Sequence, residues 1–198
     1  MKRMMKFSAA LAMAVAVTAC AGDDARETAT PTTGTGGAVT GTTGTFDGDM
    51  DFVEEHLEMG NAEVELGRIA QERATHPDVK AFAQELVRDH QAAGEELRRI
   101  ATTANPNFPA TIDDEAREEL TELREEMAKL TGRDFDRRYI DEMIDDHQDA
   151  VDDLEDKAEN ASHSEVRAWA AKTLPTVRQH LERARALKAS LENAGDNQ

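Results

Sequence analysis

Three histidines and one glutamate fall near the midpoints of four predicted amphipathic helices, each on the apolar face of its helix. They are Glu63, His90, His147 and His180, and together we name them the Glu/His layer. Helices of similar length that pack antiparallel cross near their midpoints, so these side chains are expected to converge inside a bundle. Imidazole and carboxylate groups are ligands for zinc, copper and iron. The sequence therefore predicts a site for one transition metal ion or small ligand between the helices.

The residues around the histidines argue against a two-metal oxidase centre. Di-iron sites in ferritin-like bundles use a Glu-x-x-His motif on two of their helices. The residues three positions before the histidines of the layer are Val87, Ile144 and Val177, and the chain contains no Glu-x-x-His motif. No catalytic residue is predicted, and an enzyme is the less favoured interpretation.

A purely structural role for the layer is the alternative to metal binding. A buried, hydrogen-bonded polar layer can set the register of packed helices. Asp89, Asp146 and Gln179 each precede a histidine of the layer and are expected to face solvent without consequence. His76 and His163 lie at predicted helix starts and are expected to be exposed caps. The residue pattern leaves both roles of the layer open.

The hydrophobic pattern beyond residue 45 is helical, with apolar residues at spacings of three and four. It predicts one domain over residues 46–194, with helices over about 49–74, 77–104, 113–130, 134–160 and 162–191. The connection from Ala104 to Gly132 is too long for a hairpin loop and contains its own helix. We therefore predict an all-α fold, a ferritin-like four-helix bundle with an extra helix in the long crossover connection.

Residues 1–20 are predicted to be a secretion signal. A basic start precedes an apolar run over residues 7–17, which is too short to span a bilayer. The segment ends in Val17-Thr18-Ala19-Cys20, which resembles the lipobox of bacterial lipoproteins. An ordinary signal peptide with a chance cysteine is the alternative. In lipoproteins the signal is removed and the cysteine carries the lipid, so Cys20 is the predicted lipidation site.

The predicted anchor places the domain on the periplasmic side of the cell envelope. Its contact with the membrane would be the lipid on Cys20. By analogy with lipoproteins of Gram-negative bacteria, an aspartate after the lipidated cysteine favours the inner membrane. Ala21 stands at that position, so outer-membrane attachment is favoured.

The composition separates a tether from an acidic domain. Residues 21–45 are rich in threonine and glycine and form a predicted disordered tether with a reach of roughly 28 Å. The chain carries 41 acidic against 23 basic residues, a net charge of −18. Such a charge argues against nucleic acid as a partner and against docking of the domain itself on an anionic membrane. No protein partner is indicated.

Several short motifs around the layer resemble the DUF4142 family. They are Asn61-Ala62-Glu63-Val64-Glu65-Leu66-Gly67, Val79-Lys80-Ala81-Phe82-Ala83 before Asp89-His90, Phe135-Asp136 with Tyr139 before His147, and Leu174-Pro175 before His180. The resemblance covers roughly residues 52–191. It implies a bacterial envelope protein, often a lipoprotein, with a ferritin-like fold, and a family pattern that includes the glutamate and the three histidines. It implies no established activity.

Three functions are compatible with these features. The favoured one is a lipid-anchored periplasmic domain that binds one metal ion or small ligand at the Glu/His layer. A non-catalytic envelope module that engages another protein, with a structural layer, is the alternative. An oxidoreductase acting through a bound metal has only fold analogy behind it, which is a weak argument for function.

Overall fold

The computed structural model describes residues 45–109 and 114–193. After a 3₁₀ turn, Phe46–Asp49, these residues form α1 (Met50–Arg73), α2 (Pro77–Ala104), α3 (Asp114–Ala128), α4 (Gly132–Asn160) and α5 (Ser164–Asn193). The predicted all-α class is confirmed, and each predicted helix agrees within about two residues at its ends. None of the described helices is long and apolar enough to cross a membrane. The predicted signal, its Cys20 and the tether up to residue 44 lie outside the described residues.

Contacts at the two ends of the bundle fix the directions of the helices. Asp136, near the start of α4, accepts hydrogen bonds of 2.9 Å from the backbone N–H groups of Thr75 and His76, between α1 and α2. At the opposite end, Asp49 before α1 accepts a 2.7 Å hydrogen bond from the N–H of His163, between α4 and α5. Helices α2 and α4 therefore start at the same end and run parallel. The connection between them crosses the length of the bundle, which confirms the predicted ferritin-like topology.

Helix α3 occupies this crossover and packs on α1. Arg73, at the end of α1, donates hydrogen bonds to the carbonyls of Ala128 (3.0 Å) and Leu130 (2.8 Å), which close the C-terminal end of α3. Gly132 then begins α4 with a φ of +57°, a left-handed backbone conformation that favours glycine. The chain thus breaks at Thr131-Gly132, between α3 and α4.

Two apolar clusters fill the bundle, and the Glu/His layer lies between them. The first cluster, nearer the α1–α2 turn, includes Phe82, Phe135 and Tyr139. The second, nearer the α4–α5 turn, includes Phe52 and Trp169. The layer is therefore bordered by packed hydrocarbon on both sides along the bundle, which strengthens any electrostatic interaction within it.

Gly67 marks a close approach of α1 and α2. A Cβ atom at this position would lie 2.7 Å from Cγ2 of Val87 and 3.3 Å from the carbonyl oxygen of Ala83. Overpacking costs about 1–3 kcal/mol, which exceeds the gain of about 1 kcal/mol from replacing a helical glycine by alanine. Gly67→Ala is therefore expected to lower the free energy of unfolding in urea by about 1 kcal/mol.

Gly94 provides the matched control for Gly67. It also lies inside a helix, but a Cβ there would meet nothing within 4 Å. Gly94→Ala should raise the free energy of unfolding by about 0.5–1 kcal/mol through helix propensity alone. If both alanine variants were equally stabilised, the close approach at Gly67 would be refuted.

The two histidines at helix starts differ in their surroundings. His76 is a cap, because its Nδ1 accepts a 3.2 Å hydrogen bond from the backbone N–H of Asp78. The prediction of an exposed His163 is wrong: its Nδ1 is buried and its ring packs edge-on against Phe46, with centroids 5.7 Å apart. The 3₁₀ turn before α1 covers it, and that long-range contact leaves no signal near residue 163.

Candidate metal centre

The structure brings the four residues of the Glu/His layer together, one from each of α1, α2, α4 and α5. The imidazole centroids of His90 and His147 are 5.4 Å apart, and both lie 5.5 Å from that of His180. Glu63 and His180 are 1% exposed and His147 is fully buried. The side chain of His90 is 14% exposed, the most of the four. The predicted convergence of the four midpoints is thus observed.

Glu63 lies against two of the histidines. Its Oε2 is 2.9 Å from Nδ1 of His90, and its Oε1 is 3.1 Å from Nδ1 of His147. A carboxylate beside one ring nitrogen fixes the orientation of the imidazole and leaves the other nitrogen available to a metal. The Nε2 atoms of both histidines are buried without a hydrogen-bond partner among the described residues, and so is Nδ1 of His147, whose 3.1 Å approach to Glu63 is a charge contact rather than a hydrogen bond.

Asp89 takes the corresponding position for the third histidine. Its Oδ2 lies 3.2 Å from Nε2 of His180, and Arg88 in turn donates to its Oδ1 at 2.8 Å. The other nitrogen of His180, Nδ1, is buried without a hydrogen-bond partner in the part of the chain that the structure describes. The expectation that Asp89 faces solvent without consequence is therefore wrong. Successive helix positions are 100° apart, so α2 presents His90 to the core and Asp89 to α5.

The three histidines offer one nitrogen each to a common point. These nitrogens lie within 4.8 Å of one another. Three nitrogens at about 2 Å from one ion would be about 3.5 Å apart, so small side-chain rotations would close the site. Glu85, Asp89 and His180 form a second such group, but Arg183 and Arg88 already pair with its two carboxylates. The three-histidine group is therefore the better-suited metal centre.

Burial and the charges in the layer favour an anionic Glu63, neutral His147 and His180, and a His90 that takes up a proton more readily. Burial raises the pKa of Glu63, but the charges of His90 and His147 outweigh burial and lower the pKa to about 2. Burial lowers the pKa of His147 to about 4, and burial with the charge of His90 lowers the pKa of His180. Burial also lowers the pKa of His90, but the attraction of Glu63 is stronger and the net pKa is raised. His90 is thus the histidine of the layer that holds a proton most readily.

The fold and the site together define a class of protein: a ferritin-like helical bundle whose buried His and Glu groups could hold a metal ion. Within that class, the chain belongs to the DUF4142 family, described as a domain of unknown function, whose family model matches residues 35–187. The resemblance found in the sequence is thereby confirmed. A search of curated proteins found no significant match.

Solved structures with the same fold include two forms of the protein CopM and one DUF305 domain. The Ag-bound form of CopM is 20% identical, with a TM-score of 0.58, over 72% of this chain and 96% of that one. The Cu(I)-bound form has the same identity and coverage and a TM-score of 0.60. A DUF305 fragment from Deinococcus radiodurans is 19% identical over 73% of this chain and 95% of that one, with a TM-score of 0.59. At these identities the comparison establishes a shared fold.

Proposed function

We propose that this protein binds one copper or silver ion through His90, His147 and His180. The observation that carries the proposal is that the three rings each offer one nitrogen within 4.8 Å of the others, and that each ring has at least one buried nitrogen without a hydrogen-bond partner among the described residues. A buried polar atom without a partner costs about 1–3 kcal/mol. A layer that served only to set helix register would be expected to pair its ring nitrogens, whereas one bound ion would supply a partner to each of the three rings.

Glu63 and Asp89 act as orienting carboxylates in this proposal. The sequence hypothesis placed Glu63 among the ligands, but both of its oxygens lie beside Nδ1 atoms of His90 and His147. Carboxylates that hold the second nitrogen of a ligating histidine raise its basicity and fix its tautomer. The ligand set is then three neutral imidazoles, with a fourth coordination position open.

The choice of copper or silver rests on ligand chemistry and on fold similarity. Imidazole suits zinc, copper and iron, so the ligands alone do not select among them. The structural neighbour CopM has been solved with Ag, Cu(I) and Cu(II) bound. Its bundle is similar to this one, and the net charge of −18 attracts cations in general. These observations favour copper among the metals that the sequence allowed.

Native mass spectrometry tests the metal centre directly. The wild type titrated with silver(I) should retain one ion per chain, and His90→Ala, His147→Ala and His180→Ala should each lose it. Glu63→Gln should retain one ion with an affinity reduced about 10–100-fold, as for other orienting carboxylates. His163→Ala is the control, because His163 lies at the end of the bundle, away from the layer. Equal retention by the wild type and all three alanine variants of the layer would reject the proposal.

We further propose that the domain is held on the periplasmic face of the outer membrane by lipid on Cys20. The signal-like segment, the lipobox-like Val17-Thr18-Ala19-Cys20 and the following Ala21 support this location. Stable anchoring needs two hydrophobic signals, which a diacylated cysteine supplies.

Replacing Cys20 is expected to abolish lipid attachment. Cells given a labelled fatty acid should label the wild-type protein, whereas Cys20→Ser should stay unlabelled and leave the membrane fraction. Label in both proteins would show that the lipid is carried elsewhere, and label in neither would indicate an ordinary signal peptide.

A further inference from the structure

One glycine on α1 and one on α2 line the same groove next to the Glu/His layer. Gly60 lies three residues before Glu63, and Gly94 lies four residues after His90. Because α1 and α2 run antiparallel, both glycines are about one turn from the layer on the same side. Each costs about 1 kcal/mol of helix stability relative to alanine. Close packing does not explain them, since a Cβ at either would meet nothing within 4 Å.

A groove of 580 Å³ between α1 and α2 contains both glycines and reaches the layer. Its lining includes Gly60, Gly94 and His90, together with charged side chains of both signs: Glu65, Glu72, Glu95, Arg68 and Arg98. His90 is the only member of the layer in this lining. At this groove, the ring of His90 lies between the interior of the layer and solvent.

The side of the layer between α2 and α5 is already occupied by ion pairs. There Asp89 covers His180, and the side chains of Asp89 and Glu85 are 25% and 19% exposed. Arg88 pairs with Asp89 and Arg183 pairs with Glu85. An ion taking this path would have to separate the ion pairs that Asp89 and Glu85 already make.

We infer that the groove between α1 and α2 is the exchange route for the bound ion, and that Gly60 and Gly94 keep this route open. The inference rests on the proposed function. An ion entering here meets the ring of His90 first and passes it to reach the buried nitrogens of His147 and His180. The same opening admits a small ligand, such as a thiolate, to the fourth coordination position, where it can take the ion away.

Gly94→Leu tests the route because it fills the groove without altering any of the three ligands. A Cβ at Gly94 would meet nothing within 4 Å, Gly94 itself lines the groove, and leucine is a better helix former than glycine, so the variant should fold. Transfer of copper(I) to and from a coloured copper(I) chelator, followed by absorbance without oxygen, gives both exchange rates and the equilibrium affinity. Loading and release should each slow at least about tenfold, with the dissociation constant unchanged within about twofold.

Ala92→Leu is the matched control, because Ala92 is exposed on the same helix and does not line the groove. It should exchange at the wild-type rate, while Gly94→Ala should fall between the wild type and Gly94→Leu. Wild-type rates in Gly94→Leu, slowing of only one direction, or equal slowing in Ala92→Leu would each overturn the route. A wild type that binds no copper(I) or silver(I) would instead reject the proposed function itself, so the two failures are distinguishable.

Discussion

Silver(I) at about a hundredfold excess over its dissociation constant is expected to stabilise the folded protein by roughly 2.7 kcal/mol, because the ion binds the folded state alone. For a domain of about 150 residues, this stabilisation raises the melting temperature by about 5–10 °C. His147→Ala should abolish the rise, since His147 is fully buried and offers one of the three converging nitrogens. Thermal unfolding followed by circular dichroism, with and without silver, measures the effect.

A purely structural Glu/His layer predicts a different result in the same experiment. If the layer only sets helix register, silver leaves the wild-type melting temperature unchanged, and His147→Ala lowers it by the same amount with and without the ion. His163→Ala should keep the full silver-dependent rise, because His163 lies at the α4–α5 turn.

The silver effect should also depend on pH in a defined direction. Protons compete with the ion for the imidazole nitrogens, so the rise in melting temperature shrinks as pH falls. The pKa of His90 is raised above its ordinary value of 6.5, whereas burial lowers that of His147 to about 4. The loss should therefore begin above pH 6.5, where His90 takes up a proton, and well before His147 does so. A silver effect that stayed constant from pH 8 to pH 5 would contradict this assignment.

The convergence of the layer could be predicted because it depends on the length of each helix and on the position of its apolar face. Apolar spacing gives the limits of each helix, and the limits give the midpoints near Glu63, His90, His147 and His180. Antiparallel packing then brings midpoints to one height, whichever helix lies beside which. The long connection containing α3 likewise predicts the crossover, because no short loop could hold it.

The roles of individual atoms could not be predicted in the same way. Which nitrogen of each histidine remains available depends on the rotation of each helix about its own axis. A rotation of one residue decides whether Asp89 points to water or to His180, and the apolar pattern of α2 is too broad to fix that rotation.

The surroundings of the helix glycines also could not be predicted from the sequence. Gly67 and Gly94 look alike in sequence, yet only the distance between α1 and α2 separates a close approach from an open groove.

Asp136 is a further residue whose role only the structure reveals. It belongs to a motif that resembles the family, but nothing in its local sequence marks it as buried. It is 1% exposed, and it accepts hydrogen bonds from the Oγ1 of Thr75 (2.6 Å) and from the backbone N–H groups of Thr75 and His76 (2.9 Å each). One carboxylate on α4 thus holds the whole turn between α1 and α2.

Asp136→Ala is therefore expected to lower the free energy of unfolding by about 3–4 kcal/mol, or the melting temperature by about 10 °C. The loss is large because two backbone N–H groups and a hydroxyl lose a charged acceptor together. Asp134→Ala is the control: Asp134 is exposed in the first turn of the same helix and should cost at most about 1 kcal/mol. Equal effects in the two variants would contradict the clamp. Asp136 lies eleven residues, roughly 16 Å along α4, from His147, so Asp136→Ala should keep the full silver-dependent rise despite its lower melting temperature.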